Sequence, residues 1–321
     1  MSPFVSVIIP FYNRFNLFRE TYKSLVNQTL NEFEVIIVDD GSIEFELRKM
    51  KDLISRDYRF VFIEHGQGNR GPSFCRNYGV SLSRSDYLIF LDSDDLMTEN
   101  CLKSRVAFLI ENSELDFAIF PQHTFYKKLG DSNIRFSKYF NENNDYVRSF
   151  LRDVPPWQTS GPVWRKSSFL NIGGFDDVFR VMEDPEFHLR AILAGLKFEV
   201  LDGEADFFYR LPIEVSSTFY SSSISGRIDF YRKVGQMLAE RNLFDKYKDD
   251  IRVGIIRLFK NFLLYRTKQH KVHYDSIMNW VRQKNLFGPM DLMIIWLVAM
   301  KNQGVGLYRF VPASFLLKNL K

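Results

Sequence analysis

Short apolar runs and longer striped segments follow one another along the first 120 residues. Apolar runs of strand length occur at Phe4–Ile9 and in the segments EVIIVDD, RFVFIE, YLIFLD and DFAIFP. Segments with apolar residues at helical spacing separate them. These predicted helices are Asn16–Gln28, Glu44–Arg56, Pro72–Leu82 and Asn100–Glu111. Wholly apolar strands that alternate with helices predict an α/β fold with a mostly parallel sheet, covered on both faces.

The pattern changes along the rest of the chain. Proline and glycine punctuate residues 122–225, and the segment from Gly226 onward is helical in its spacing. We therefore predict an α/β domain over residues 1–225 and a basic helical region over residues 226–321. Cys75 and Cys101 lack the spacing of a zinc site or a disulfide framework. No basic segment precedes the first apolar run, so we expect no signal peptide and a cytoplasmic location.

The net charge of +4 is unevenly distributed. Residues 251–321 hold twelve Lys and Arg residues against Asp275 and Asp291, an excess of ten positive charges. Such a segment favours an anionic partner, which can be a membrane surface, a nucleic acid or another protein. Ile251, Ile255, Leu258 and Phe262 form one apolar stripe at helical spacing. The apolar run Leu292–Met300 is too short to span a bilayer, so it fits either a buried helix or an interfacial one.

The segment YLIFLDSDDL places three carboxylates directly after an apolar strand. Asp92, Asp94 and Asp95 repel one another unless something neutralises them. Ligands of such sheets bind at the carboxyl ends of the strands. Mg²⁺ and Mn²⁺ take carboxylate oxygens and keep positions open for substrate phosphates. A helix N-cap would need only one of the three acids, so the cluster favours a metal site.

Other strand ends carry related motifs. VIIVDDGS ends a strand with Asp39 and Asp40, whose carboxylates can accept from a base N–H or a ribose hydroxyl. NRGPSFCRNYG, from Asn69 to Gly79, opens a helix with a glycine-bearing loop, which suits an anion. Further along, EDPEFHLRAILAG predicts a helix that Asp184 can cap. Each motif is weak by itself, and their order is what is informative.

In that order, VSVIIPFYNR, VIIVDDGS, NRGPSFCRNYG, FLDSDD, IGGFDD and EDPEFHLRAILAG resemble the successive motifs of the family 2 glycosyltransferases. The resemblance covers about residues 4–210. It implies a GT-A fold over residues 1–225 with a C-terminal helical extension. It also implies the inverting transfer of a hexose or N-acetylhexosamine from a nucleotide-diphosphate sugar, a UDP-sugar being expected, with Mn²⁺ or Mg²⁺ as the cofactor.

The resemblance assigns roles at the donor site. Asp39 would contact the base, with Arg76 on its other side, and Asp40 would support the loop. Asp94 would bind the metal directly, with Asp92 in the metal and ribose shell. The nucleotide-sugar-binding set is Pro10, Tyr12, Asn13, Asp39, Asp40, Asn69, Arg76, Asp92, Ser93 and Arg210. Family members often carry a histidine after the arginine that matches Arg210, but this chain has leucine and proline there, so the third protein ligand stays open.

The resemblance also places the catalytic base at Asp184, with Glu183 as the alternative. Asp95 would orient the metal loop. The base would take the acceptor proton opposite the leaving diphosphate. The IGGFDD segment would lie beneath the acceptor, which makes Gly174, Phe175 and Asp176 acceptor residues. Trp164 joins this set because the rings of Trp157 and Trp164 can stack on sugars. Trp157 and Trp164 can equally well pack in the core.

Other functions are less consistent with these residues. A sugar-phosphate nucleotidyltransferase would need a glycine-rich basic loop after the first strand, where this chain has PFYNRFNLF. A non-catalytic sugar-binding module is disfavoured by the intact Asp92, Asp94 and Asp184, and the lack of a QxxRW segment disfavours a processive synthase. We therefore expect a glycan or polyprenyl-linked acceptor and no nucleic-acid partner. The basic residues 251–321, the tail, would hold the enzyme peripherally on the inner face of the plasma membrane.

Overall fold

The computed structural model describes residues 2–66, 68–132, 134–135, 145–213, 217–259, 261, 271–293 and 295. The chain forms two compact units, one from residues 1–140 and 156–214 and the other from residues 141–155 and 215–321. The second unit therefore takes up a short segment from the middle of the chain. The domain limit that we predict after residue 225 stays a prediction.

Two sheets build the first unit. The strands are β1 (Val5–Phe11), β2 (Phe33–Asp39), β3 (Phe60–Glu64), β4 (Tyr87–Phe90), β5 (Leu96–Met97), β6 (Phe117–Ile119), β7 (Gln122–Phe125), β8 (Pro162–Arg165), β9 (Phe198–Val200) and β10 (Phe207–Arg210). Seven of them form a sheet in the order β3-β2-β1-β4-β8-β6-β9. Only β8 runs antiparallel to its neighbours in that sheet. The mostly parallel sheet that the sequence predicts is confirmed.

The helices of the first unit lie between these strands along the chain. They are α1 (Phe15–Val26), α2 (Glu44–Ile54), α3 (Pro72–Leu82), α4 (Cys101–Glu111), α6 (Lys166–Asn171) and α7 (Glu183–Leu193), whereas α5 (Tyr146–Leu151) belongs to the second unit. All seven residues of β2 are buried, as the apolar run Val35–Val38 at its centre predicts. Helix α3 packs closely against β1 at Gly79, which has no side chain. A Cβ there would lie only 2.5 Å from Cγ2 of Ile8.

A small second sheet, in the order β5-β10-β7, completes the first unit. Strand β10 pairs antiparallel with β5 and parallel with β7. Because β5 follows the acidic DSDD segment directly, this pairing brings Arg210, the last residue of β10, to that segment. The small sheet therefore connects the end of β4 to a strand that comes much later in the chain.

The described part of the second unit is helical, with α8 (Ser217–Glu240), α9 (Phe244–Leu258) and α10 (Lys271–Gln283) beside α5. Ile251, Ile255 and Leu258 of the predicted apolar stripe are fully buried, so this stripe packs inside the unit and is not a lipid-facing surface. Phe262 and most of Leu292–Met300 lie outside the described residues. Within the described ranges, we find no helix with the length and apolar character needed to cross a bilayer.

Candidate active site

The carboxyl ends of β1, β2 and β4 lie at one edge of the large sheet, because these strands are neighbours and parallel. The backbone N–H of Asp40 donates to the Phe11 carbonyl at 2.8 Å, and the N–H of Leu91 donates to the Ile8 carbonyl at 3.0 Å. The segments PFYNR, DDGS and DSDD therefore begin side by side. This is the edge at which the sequence predicts ligand binding.

The DDGS loop is held by its own polar side chains. The buried Asp39 carboxylate accepts from the N–H groups of Gly41 at 2.9 Å and Ser42 at 3.1 Å. Asn13, in a left-handed conformation with φ of 50°, accepts from the Ile43 N–H and donates its own N–H to the Ser42 hydroxyl, both at 2.9 Å. Asp39 therefore shapes the loop, and its contact with a base stays a prediction.

Asp40 connects this loop to the next one. Its carboxylate accepts from the N–H groups of Arg70 at 2.6 Å and Gly71 at 3.0 Å, and its carbonyl accepts from the Asn69 N–H at 2.7 Å. Two other predicted donor residues lie at the end of β1: Pro10 is partly buried within the strand, and Tyr12, which follows it, is exposed. The DDGS and NRG loops therefore form one connected rim at the sheet edge.

The acidic loop is neutralised by two different arginines. Nη2 of Arg76 donates to Asp92 at 2.7 Å, and Nη1 of Arg14 donates to Asp94, also at 2.7 Å. The side chains of Asp92 and Asp94 keep 30% and 18% of their surface exposed. Burial raises the pKa of Asp94, while the neighbouring Arg14 acts in the opposite direction. Asp92 and Asp94 are therefore neighbouring carboxylates, each paired with its own arginine and each still partly exposed.

Asp95 differs from its neighbours because it is fully buried. Its Oδ1 accepts the backbone N–H of Arg210 at 2.8 Å, and its Oδ2 has no hydrogen-bond partner among the described residues. Burial, with Asp94 and Asp92 close by, raises the pKa of Asp95 well above its usual value. Full burial thus separates Asp95 from the two accessible carboxylates, and its role in orienting the loop stays a prediction.

Arg210 holds the same loop from outside. Its Nε donates to the carbonyl of Asp94 at 2.8 Å, and its Nη2 donates to Glu20 of α1 at 2.7 Å. The guanidinium also lies 4.4 Å from the ring centre of Phe125. Ser93 is buried, and its carbonyl accepts from the hydroxyl of Thr21. Arg210 and Ser93 therefore position the acidic loop, and direct contacts of either residue with a nucleotide sugar stay predictions.

A buried arginine joins the acidic loop to helix α7. Arg76 donates to Asp92 through Nη2 and to Glu183 through Nη1 at 3.0 Å, with its guanidinium 5.2 Å from the ring centre of Phe175. Only 3% of the Arg76 side chain is exposed. The two carboxylates raise the pKa of Arg76, although burial acts against this charge. Arg76 is therefore committed to an internal ion-pair network, and its predicted contact with a base stays untested.

Helix α7 begins at Glu183, with Met182 as its N-cap residue, so Asp184 lies in the first turn and does not cap the helix. Asp184 is partly buried, and burial together with the Glu183 charge raises its pKa to about 8, with Arg76 acting in the opposite direction. One turn later, burial lowers the pKa of His188 to about 3, so this residue is neutral. Burial also raises the pKa of Glu183, with Arg76 acting in the opposite direction.

The structure corrects two of the acceptor residues. Trp164 is fully buried, with its ring 4.0 Å from that of Phe117 in a stacked arrangement, so it packs in the core and cannot stack on a sugar. Phe175 is also buried, against Phe90 and Phe187. Sequence alone could not separate these alternatives, because an aromatic residue serves both roles.

The IGGFDD loop is fixed by contacts that the sequence did not indicate. Asn77 of α3 accepts from the Phe175 N–H at 2.9 Å and donates to the Phe175 carbonyl at 2.8 Å. Arg190 of α7 donates to the carbonyls of Ile172 and Gly174, and it pairs with the buried Glu186. The sequence offers one signal for this clamp, namely that Arg190 falls on the inward-facing side of the predicted helix.

Two predicted acceptor residues lie in this clamped loop. Gly174 has a φ of 66°, and a Cβ there would lie 2.6 Å from Oδ1 of Asn77. Asp176 is partly buried and accepts from the Val178 N–H at 3.0 Å. The loop also reaches the NRG loop, because Arg180 donates to the side chain and the carbonyl of Asn69. The candidate acceptor and donor loops are thus directly connected.

A second group of possible metal ligands lies beneath the DDGS loop. One ligand atom each from Asp40, His65 and Cys75 lies within 4.8 Å of the others. The Asp40 carboxylate already accepts two backbone N–H groups. Burial raises the pKa of the Cys75 thiol to about 12, so the thiolate that a metal would need is disfavoured. We therefore assign this group a structural role.

Residues 6–160 match the family model described as glycosyl transferase family 2. These residues are a family 2 glycosyltransferase domain. The domain contains DDGS, NRG and DSDD, and its match disfavours the nucleotidyltransferase alternative. The Glu183–Asp184 turn lies beyond the matched residues and is joined to the family 2 domain through Arg76.

Two curated relatives of the family 2 domain come from bacteria. The minor teichoic acid biosynthesis protein GgaA of Bacillus subtilis is 30% identical over 225 residues, which cover 66% of this chain and 48% of GgaA. An uncharacterized glycosyltransferase of Rickettsia bellii is 39% identical over 152 residues, 47% of this chain and 20% of that protein. The chain thus spans about half or less of the length of these relatives.

Two solved structures share the fold of this chain. S. aureus TarS 1-349 in complex with UDP-GlcNAc has a TM-score of 0.67 at 18% identity, over 96% of this chain and 93% of that one. The mannosyltransferase PcManGT of Pyrobaculum calidifontis, in complex with GDP-Man and Mn²⁺, has a TM-score of 0.55 at 14% identity, over 94% and 88%. At this identity the likeness concerns the fold, which is GT-A.

Proposed function

We propose that this protein is a metal-dependent inverting glycosyltransferase that transfers a sugar from a nucleotide-diphosphate sugar to a glycan or lipid-linked acceptor. The observation that carries the proposal is the double contact of Arg76. This buried guanidinium joins Asp92 of the acidic loop to Glu183, whose neighbour is Asp184. One network therefore connects the strand ends that would hold a donor with the turn that would activate an acceptor.

Asp92 and Asp94 fit a hard divalent cation. Both are accessible carboxylates on one loop, and oxygen ligands of this kind suit Mg²⁺ and Mn²⁺. Asp95 does not fit, since it is buried and one of its oxygens is engaged by the Arg210 N–H. When bound, the cation would stabilise the negative charge that develops on the leaving diphosphate.

Asp184 is the proposed general base. Inverting transfer needs a base that takes the proton of the acceptor hydroxyl, and such a base works best with a pKa near the working pH. The pKa of Asp184 is raised to about 8, which meets this condition. Glu183 is the less suitable candidate, because its carboxylate is already paired with Arg76.

The relatives suggest which donors and which location to test first. TarS has been solved with UDP-GlcNAc and PcManGT with GDP-Man, so these two donors, with other UDP-sugars, form the first panel. The name of GgaA makes teichoic-acid-type polymers the first acceptors to try. The basic excess of residues 251–321 supports action at the cytoplasmic face of a membrane.

The proposal is tested by measuring sugar transfer and donor hydrolysis over this panel, with Mn²⁺ and with EDTA. We expect turnover of a UDP-sugar only with the cation. Asp184→Asn should lower the transfer rate by about 10²–10⁴-fold while donor binding persists. Asp52→Asn, at an exposed site on α2, is the matched control and should behave as wild type. Metal-independent turnover would contradict the metal role, and an active Asp184→Asn enzyme would contradict the assignment of the base.

A further inference from the structure

The two arginines that neutralise the acidic loop differ in how firmly they are held. Arg76 is almost fully buried and donates to both Asp92 and Glu183. The side chain of Arg14 is 56% exposed, and its contact with the Asp94 carboxylate, at 2.7 Å, is its one hydrogen bond among the described residues. Breaking the contacts of Arg76 would leave buried charges unpaired, whereas an exposed pair such as Arg14–Asp94 contributes little to the free energy of unfolding.

Other cations near Asp94 cannot take the place of Arg14. The guanidinium of Arg210 donates to the Asp94 carbonyl and to Glu20, and not to the Asp94 carboxylate. Without Arg14, the Asp94 carboxylate would lie unpaired beside Asp92 and Asp95. Among the described residues, Arg14 is therefore the cation paired directly with this carboxylate, whereas Arg210 offsets its charge without a hydrogen bond to it.

We infer that Arg14 is an exchangeable counter-ion of Asp94, which a divalent cation displaces when it binds. The inference rests on the proposed function, which puts the cation at Asp94. Arg14 then keeps the acidic loop in shape before the cation arrives, and binding of the cation must break the Arg14–Asp94 pair. Arg14 thus weakens metal binding to the free enzyme. A permanent anchoring role for Arg14 would have the opposite effect, because its loss would disorder the loop and weaken metal binding.

The test measures Mn²⁺ binding to the nucleotide-free, full-length protein, with the EPR signal of free Mn²⁺ as the readout. Arg14→Gln should bind Mn²⁺ about two- to fivefold more tightly than wild type, the factor expected for removing one exposed ion pair. Arg19→Gln removes another exposed positive charge from the same helix, α1, and measures the general effect of charge. We expect this control to change the affinity less than Arg14→Gln does.

Two further variants separate the inference from the proposal beneath it. Asp94→Asn should lose most Mn²⁺ binding, and adding Arg14→Gln to it should change nothing further. If Asp94→Asn binds Mn²⁺ like wild type, the proposed metal site is wrong. If Asp94→Asn loses binding but Arg14→Gln binds no more tightly than Arg19→Gln, the metal site stands and the counter-ion inference is wrong.

Thermal unfolding gives a second readout. Without metal, Arg14→Gln should unfold at a lower temperature than wild type, because Asp94 is left unpaired. Mn²⁺ should then raise its unfolding temperature by more than that of wild type, since a ligand that binds the native state more tightly stabilises it more. An equal rise in the two proteins would overturn the inference.

Discussion

The guanidinium of Arg76 donates a 2.7 Å hydrogen bond to the carboxylate of Asp92, sixteen residues further along the chain. The same guanidinium reaches Glu183 on α7. A charge buried to this degree is tolerated because two carboxylates offset it, and each carboxylate in turn depends on Arg76. The donor end and the base end of the candidate site are therefore coupled through one side chain.

Replacing this side chain should destabilise the protein. We expect Arg76→Met to lower the free energy of unfolding by about 3–5 kcal/mol at pH 8, since it leaves partly buried carboxylates unpaired. The loss should be smaller at pH 5, because carboxyl groups that have lost their cation can take up protons. Urea unfolding at both pH values measures it, with Arg56→Met, at an exposed site just after α2, as the control. Equal stability of Arg76→Met and wild type would contradict this network.

The pKa of Asp184 predicts how activity depends on pH. A general base works only when ionised, so kcat/KM should fall as the pH drops below about 8, the pKa of Asp184. Glu183 raises this pKa, and Glu183→Gln should therefore move the acidic limb of the profile to lower pH. The measurement is kcat/KM from pH 5 to 9 for both proteins. A limb that stays in place in Glu183→Gln would mean that another group titrates.

The same raised pKa predicts a stability effect of the opposite kind. Asp184 has a usual pKa of 3.8 and a folded-state pKa of about 8, so its ionisation disfavours the folded state, and stability is lost as the pH rises through this range. Asp184→Asn cannot ionise. It should therefore unfold at a higher temperature than wild type at pH 9 and at the same temperature at pH 4. Thermal melts at these pH values measure the difference in unfolding temperature between the two proteins. A difference that does not grow with pH would contradict the raised pKa of Asp184.

The left-handed conformation of Gly174 predicts that the clamped IGGFDD loop contributes to both stability and sugar transfer. Gly174→Ala should lower the free energy of unfolding by about 1–3 kcal/mol, since it combines left-handed backbone strain with overlap at Asn77. It should also reduce transfer more than donor binding, because the loop is assigned to the acceptor side. Gly195→Ala is the matched control: its φ is 79°, and nothing lies within 4 Å of the added Cβ. Identical effects of the two substitutions would rule out a special role for the Asn77 contact.

The charge of residues 251–321 predicts binding to anionic membranes. Each Lys or Arg near such a surface contributes about 1 kcal/mol, and salt should weaken the attraction because it screens charges over about 8 Å at physiological ionic strength. Sedimentation with vesicles of increasing anionic lipid, at low and high salt, measures it. Protein that stays in the supernatant with every vesicle type would show that the basic excess serves another purpose.

A pair of variants assigns such binding to the tail. The tail variant replaces four basic residues by Gln, namely Lys301, Arg309, Lys318 and Lys321. The control variant replaces four exposed basic residues of the first unit by Gln, namely Lys23, Arg48, Arg56 and Lys103. Sedimentation should fall for the tail variant only. Equal losses would point to net charge without a localised membrane surface.

Local pattern was enough to determine most of the first unit. Strand β2 is apolar at five of its seven positions, four of them consecutive, so only a central strand covered on both faces could bury it. Helix α3 begins at Pro72 and ends at Leu82, as predicted, because a proline suits the first turn and the left-handed Gly71 precedes it. The order of DDGS, NRG and DSDD at strand ends likewise placed the candidate site at one sheet edge.

Tertiary structure alone decided how the charges of that edge are paired. Arg14 and Asp94 are 80 residues apart in the chain, and Arg76 and Glu183 are 107 apart, so no local pattern connects them. Which cation meets which carboxylate depends on the relative burial and direction of side chains from separate elements. The same holds for Trp164, since an aromatic ring favours a sugar and a core alike, and only packing against Phe117 decides between them.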